Sequence, residues 1–244
     1  MGIIGTGFIG RIHARAARQA GARLVGVAGA DLANATEGAQ ALGAEKAFEP
    51  VTELITSGLI DVLHVCTPTI SGPAYASVGR TWKLDADERR SVLAELRENL
   101  RPVLAYAGER GVRVGVEPLN RYETSLINTV EQALDALPDE CSLALDTYHL
   151  NIEESSPAQA VRDAGSRIAL IQVCGTDRGA PGSDHFDRTA FAAEVKDADY
   201  TGPLVIESFT PDNTTIATAA SIWPPRAASQ DDLATDGLAS LRTL

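Results

Sequence analysis

The chain has 244 residues, a formal net charge of −12 and a pI near 4.8. That balance excludes a nucleic-acid or anionic-membrane surface, which needs clustered Lys and Arg. An apolar content of 44% is ample for a core, so one large α/β domain or two small ones are expected.

In chain order, short β-branched runs alternate with longer Ala-rich helical stretches, the signature of parallel βα units. Strands are predicted at 2–5, 23–28, 46–48, 61–66, 112–117, 142–146, 168–173 and 203–207. Helical patterns cover 10–20, 33–42, 51–57, 86–110, 129–136, 157–164 and 189–197, with terminal helices at 216–222 and 230–242. The stretch 67–85 is rich in Gly and Pro and reads as a long loop, a seam between a part at 1–70 and a part at 71–244. Cys66, Cys141 and Cys174 lie in apolar runs without metal-type spacing and read as buried thiols in a reducing cytoplasm. No apolar run reaches the length of a membrane span and the start is no signal peptide, so a cytoplasmic protein with no membrane partner is expected.

The first strand runs into "IIGTGFIG", which sets Gly5, Gly7 and Gly10 between a strand and a helix. That is the dinucleotide fingerprint in its required context. The glycines permit a tight turn, close approach of a pyrophosphate and close helix packing. With "ARLVGVAGAD" and "IDVLHVCTPT", this segment resembles the N-terminal Rossmann part of the glucose–fructose oxidoreductase and inositol dehydrogenase family, over residues 2–69. The resemblance implies a cofactor site for NAD(P) at those glycines. Two features depart from it. The acid that would hold a ribose is replaced by Gly29, with Asp31 two residues late, and the family's catalytic-lysine segment and substrate domain are absent. A working cofactor site and a structural relic both stay open. His13 and His64 read as packing residues.

The later strands share another habit. "VGVEPLNRYET" ends an apolar run on Glu117, "CSLALDTYHLNIEE" ends on Asp146 with His149 three residues on, and "GPLVIESFTPD" ends on Glu207. "IALIQVCGTDRGAPG" ends near Gln172, with Asp177 and Arg178 in the loop. Four successive parallel strands therefore present an oxygen-bearing side chain near their C-terminal ends, where βα barrels build sites. Converging carboxylates repel unless a cation neutralises them, and hard oxygen donors suit Mn²⁺ first, with Mg²⁺ or Co²⁺ as alternatives.

The motifs "EPLNRYET", "LDTYHLNIEE", "DRGAPG" and "LVIESFTP" resemble the xylose-isomerase-like barrels of the D-tagatose and D-psicose 3-epimerase group, from about Gly72 to Leu241. The resemblance implies that Glu117, Asp146, Gln172 and Glu207 bind the metal, and that Glu123, His149 and Arg178 hold a sugar's hydroxyls. Glu117 and Glu207 are the expected acid–base pair on either face of the substrate. One departure stands out: the family has a histidine where this chain has Gln172, and an amide oxygen binds Mn²⁺ or Co²⁺ more weakly than imidazole does.

The expected fold is thus a truncated Rossmann-like βα segment fused to half of a (βα)8 TIM barrel. The two form either a hybrid eight-stranded parallel α/β assembly or part-domains that need a second chain for cover. The expected function is divalent-metal-dependent sugar isomerisation or epimerisation through an enediolate. The alternatives are an NAD(P)-binding oxidoreductase-like protein and a non-catalytic fusion remnant. The expected partner is a small sugar, with self-association left open.

Overall fold

The computed structural model describes residues 1–243 apart from 7, 20, 30, 61–62, 66–68, 74, 76–78, 80 and 213. Cys66 and the side chains of His13 and His64 lie outside what is described. The chain divides into two compact units, Met1–Pro68 and Thr69–Leu244.

The first unit runs β1 (Gly2–Ile4), α1 (Phe8–Gln19), β2 (Gly26–Ala28), α2 (Leu32–Leu42), β3 (Lys46–Phe48), α3 (Val51–Thr56) and β4 (Leu63–Val65). Its strands are parallel in the order β3-β2-β1-β4. Alternation along the strands divides the core. Ile3 and Val27 pack with Ala14, Ala17, Ala39 and Leu42, while Ile4 and Ala28 pack with Phe48 and Leu54 on the other side.

The turn after β1 needs its glycines. Gly5 has φ of 101°, where an L side chain is strained, and its N–H donates to the Ala28 carbonyl at 2.8 Å. A Cβ on Gly10 would lie 2.2 Å from the Gly5 carbonyl oxygen, so only glycine lets α1 start this close to the strand. Asp31 caps α2, accepting from the Asn34 N–H at 2.7 Å. A Cβ at Gly29 would stand 2.2 Å from the Asn34 side-chain oxygen. The strand-end position is therefore sterically closed, and the nearest acid is committed to a helix cap.

The second unit runs β5 (Thr69–Gly72), α4 (Ala86–Gly108), β6 (Arg113–Val116), α5 (Val130–Ala136), β7 (Ser142–Asp146) and α6 (Thr147–Glu153). It continues with α7 (Pro157–Ala164), β8 (Ile168–Val173), α8 (Arg188–Asp197), β9 (Leu204–Ile206), α9 (Thr214–Ala220) and α10 (Gln230–Leu241). The strands are parallel and sequential, β5-β6-β7-β8-β9, the order of half a TIM barrel. A capping box of Asp85 and Glu88 starts α4, and Ser156 with Pro157 starts α7. The core forms where Val116, Leu143, Leu145 and Ile171 meet Val130 and Ala133 of α5 and Val161 of α7.

Two elements differ from expectation. The stretch 67–85 is not all loop, because β5 pairs with β6 from Thr69 to Gly72, so this sheet has five strands rather than four. The segment after Asp146 is the helix α6, entered without any connecting loop. Among the described residues, no helix is long and apolar enough to cross a membrane.

Candidate active site

Strand register brings the site together. Paired residues of neighbouring parallel strands point to the same face, as do residues two apart on one strand. Val116 pairs with Leu143, so Glu117 comes level with Ala144 and shares the face of Asp146. Asp146 pairs with Gln172, and Gln172 pairs with Val205, two residues before Glu207. Four side chains with oxygen ends thus project from one face at the C-terminal ends of β6 to β9.

Each is fixed by local bonds. The Glu117 N–H donates to the Gly72 carbonyl at 3.1 Å, which extends the β5–β6 ladder to the carboxylate. The Tyr75 hydroxyl donates towards the Glu117 and Ile127 carbonyls, at 2.8 and 2.9 Å, and accepts from the Leu119 N–H at 3.2 Å. Asp146 ends β7 and caps α6, its Oδ1 accepting from the Tyr148 N–H at 2.9 Å. The Glu207 N–H donates to Val173 at 3.0 Å. Thr147 Oγ1 accepts from the Cys174 N–H at 3.0 Å and fastens α6 to the end of β8.

His149 lies on the first turn of α6 and is 2% exposed. Its Nε2 stands 3.6 Å from Glu117 and 3.8 Å from Asp146, so the three side chains form one tight cluster. Its Nδ1 faces the Asn120 backbone N–H at 3.1 Å and side-chain amide at 3.0 Å. Both are donors, so Nδ1 accepts. Burial pushes the imidazole down to about 4 against the pull of Asp146, so near pH 7 it is neutral. A neutral ring that accepts at Nδ1 carries its proton on Nε2. His149 therefore offers the cluster a donor rather than a lone pair.

Arg178 is 5% exposed and supplies the cluster's positive charge. Its Nη1 pairs with Asp146 Oδ2 and reaches Glu207 Oε2 at 3.3 Å. Its guanidinium lies over Tyr148, 4.3 Å from the ring centre, and 5.2 Å from that of Phe209. Burial opposes the charge, but Asp146, Cys174 and Glu207 outweigh it and raise the group's hold on its proton.

The carboxylates show the strain of convergence. Burial, then the charges of Asp146 and Glu207, push the Glu117 carboxyl up to about 8. Glu207 is raised too, by burial and then by Asp146. Burial lifts the Cys174 thiol to about 12, so it stays protonated beside Asp146.

A family model described as xylose isomerase-like TIM barrel matches residues 13–244. The chain belongs to that family. A probable ketose 3-epimerase from Synechocystis sp. is 34% identical over 177 residues, 71% of this chain and 61% of that protein. An L-ribulose 3-epimerase from Methylomonas sp. is 36% identical over 136 residues, 53% of this chain and 47% of that protein. The chain thus spans between 47% and 61% of the length of these two relatives. A solved L-ribulose 3-epimerase overlays with a TM-score of 0.67 at 22% identity, covering 96% of this chain and 78% of that one. A D-allulose 3-epimerase from Methylomonas sp., solved with D-allulose, gives 0.65 at 22% identity, covering 99% and 96%. Likeness at that identity concerns the fold alone.

The donor set of this xylose isomerase-like chain fits a divalent cation. Gln172 Oε1 is a buried acceptor with no hydrogen-bond partner among the described residues, and Gln172 is in register with Asp146. An orphaned carbonyl oxygen in register with Asp146, on the sheet face that also carries Glu117 and Glu207, suits a hard cation.

Of the residues predicted from sequence, Glu117, Asp146, His149, Arg178 and Glu207 form this one cluster. Glu207 joins the cluster through Arg178. Glu123 stands one step back, accepting from the Asn120 amide at 2.8 Å. Gly5 and Gly10 lie in the first unit, and Gly7 falls outside the described residues. Sequence reasoning assigned no site role to Asn120, which sets the His149 tautomer, to Tyr75 or to Cys174. Asn120 could have been found, since a buried-type loop asparagine three residues past Glu117 can satisfy a ring nitrogen. Tyr75 lies 42 residues from Glu117, and nothing local signals that contact.

Proposed function

We propose that the chain performs divalent-metal-dependent proton transfer at the carbon beside a ketose carbonyl, as an epimerase or an aldose–ketose isomerase. The observation that carries this reading is that Glu117 and Glu207, from the ends of β6 and β9, converge on one cluster with Asp146, His149 and Arg178. Glu117, Asp146, Glu207 and the Gln172 amide oxygen would hold the ion, with Mn²⁺ first and Mg²⁺ or Co²⁺ as alternatives. When bound, the ion supplies Lewis acidity that polarises the ketone and offsets the charge developing on its oxygen.

The remaining work belongs to side chains. One of Glu117 and Glu207 takes the proton from the carbon, leaving an enediolate, and the other returns a proton to the opposite face. A carboxylate serves both directions of transfer, taking the proton as a base and returning one as an acid. Asp146 is spent on the α6 cap and Arg178, which leaves it a ligand only. The Nε2–H of His149 donates to a substrate oxygen. Arg178 and Glu123 hold further hydroxyls, Glu123 also steadying Asn120. The names of the relatives favour epimerisation at C3 of a free ketose, and among the described residues Arg178 is the one cation of the cluster.

Metal analysis of the purified protein, then a ketose panel followed by NMR in D₂O, tests this. Deuterium at C3 identifies epimerisation, and deuterium at C1 or C2 identifies aldose–ketose exchange. Glu207→Gln is expected to abolish turnover with the fold intact, and full activity in that variant refutes the assignment.

A second reading concerns residues 1–68. Their strand order and the close approach at Gly5 and Gly10 favour a dinucleotide-binding type of segment, with NAD(P) as its cofactor. The capping role of Asp31 and the closed position at Gly29 weigh against a bound ribose. Absence of NADH binding at millimolar concentration in a fluorescence titration ends that reading.

A further inference from the structure

We propose that Arg178 is an exchangeable counter-cation. It neutralises Asp146 and Glu207 until a divalent ion takes those oxygens, and only the displaced guanidinium is free to meet the sugar. This rests on the reading that the strand-end cluster binds a divalent ion.

Four observations carry it. First, Arg178 Nη1 occupies the donors that a cation would need. It pairs with Asp146 Oδ2 and Glu207 Oε2, and lies 3.5 Å from the Glu207 carbonyl and 3.7 Å from Cys174 Sγ. A guanidinium and a divalent ion on the same carboxylates repel each other strongly in a buried site. Second, the guanidinium is held on one side only. Its Nη2 faces His149 Nε2 at 3.2 Å, and the bonds from Asn120 make that nitrogen a donor as well. Two N–H groups opposed without an acceptor between them contribute nothing to retention. Third, the guanidinium lies 4.3 Å from the Tyr148 ring centre and 5.2 Å from that of Phe209, contacts with ring faces that do not fix a planar cation at one point as a hydrogen bond does. Fourth, the backbone at Arg178 is anchored independently of its side chain. Arg178 sits at φ of 66°, its N–H donates to Gly175 at 2.9 Å, and its carbonyl accepts from the Phe209 N–H at 3.1 Å. The loop is closed by Gly175 donating to Gly179 at 2.8 Å.

The consequence is a reduced apparent metal affinity. A site whose competent form is a minor population binds more weakly by that fraction. Calorimetric titration of the whole chain with Mn²⁺ tests it directly. Arg178→Met is expected to bind Mn²⁺ at least about tenfold more tightly than the wild type and to melt at lower temperature in EDTA. Arg178→Lys, which keeps the charge, stays near the wild type. Equal or weaker binding by a cooperatively melting Arg178→Met overturns the exchange while leaving the metal site standing. Absence of Mn²⁺ binding by both proteins overturns the exchange and the metal reading together. Should Arg178→Met fail to fold, the wild type still decides. With ¹⁵N-arginine, the Nε signal missing from Arg178→Lys shifts on Mg²⁺ saturation if the guanidinium is displaced. An unmoved signal in a Mg²⁺-saturated protein refutes displacement.

Discussion

A buried carboxyl that titrates near pH 8 makes the metal-free protein lose stability as pH rises, and Glu117 sets the size of the loss. Its folded value of about 8 lies above the ordinary 4.5, chiefly because of burial and then because of Asp146 and Glu207. The folded state therefore binds more protons than the unfolded state throughout that window, and stability falls with rising pH. His149 works in the opposite sense. Held at about 4 against an ordinary 6.5, it adds stability as pH rises between those values and only about 0.4 kcal/mol more above 6.5, as the unfolded imidazole finishes losing its proton. Above pH 6.5 the carboxyls dominate. One proton is worth about 1.36 kcal/mol per pH unit, and Glu117 is half ionised by pH 8, so it alone removes about 1.6 kcal/mol between pH 6.5 and 8. In a domain of this size that lowers Tm by about 3–7 °C. Glu207, raised as well, adds to the fall. Melting curves by circular dichroism in EDTA across this range measure the slope directly. Glu117→Gln cannot ionise and should flatten it, and saturating Mg²⁺ should flatten it in the wild type. A Tm in EDTA that stays level or rises from pH 6.5 to 8 refutes the reasoning, because Glu117 would then be ionised at little cost.

Three further outcomes follow from individual contacts. Tyr75→Phe removes a hydroxyl that serves the carbonyls of Glu117 and Ile127 and the N–H of Leu119. It should cost about 1–3 kcal/mol in denaturant unfolding and lower kcat more than it raises KM, since Glu117 loses its anchor. Gln172→His replaces an oxygen donor with imidazole and should tighten Co²⁺ binding by calorimetry much more than Mg²⁺ binding. Gly10→Ala sets a methyl 2.2 Å from the Gly5 carbonyl and should destabilise residues 1–68 by about 1–3 kcal/mol, with Mn²⁺ affinity unchanged.

What was legible in the sequence followed from periodicity. Apolar runs of three to six residues ending on Glu117, Asp146 and Glu207 announce buried strands and their exits, and parallel register does the rest. The two missed elements lacked such marks. β5 hides in "TISG", a polar stretch within a Gly- and Pro-rich segment, and it is a strand because its backbone completes the ladder beside β6. α6 hides because Asp146 is at once the last residue of a strand and the cap of a helix, so no turn residues separate them. Arg178 could be read as a loop cation. Its inward direction depends on a left-handed backbone at a non-glycine residue, and no pattern foretells that.

The position of the cluster in the chain separates two questions that the sequence runs together. Every residue assigned to metal, proton transfer or sugar lies between Glu117 and Glu207, within the unit Thr69–Leu244. The glycines that suggest a nucleotide, Gly5 and Gly10, lie within Met1–Pro68. The chemistry proposed for the carboxylates is therefore built from residues of the second unit, and the fingerprint turn belongs to the first. Loss of NADH binding and loss of Mn²⁺ binding should be separable by substitution. Gly10→Ala bears on the first, and Asp146→Asn, which keeps an α6 cap but removes a carboxylate charge, bears on the second. If Asp146→Asn weakens Mn²⁺ binding at least about tenfold and leaves any response to NADH untouched, the metal site is chemically independent of the first unit. If both responses fall together, the reading of two independent sites is refuted.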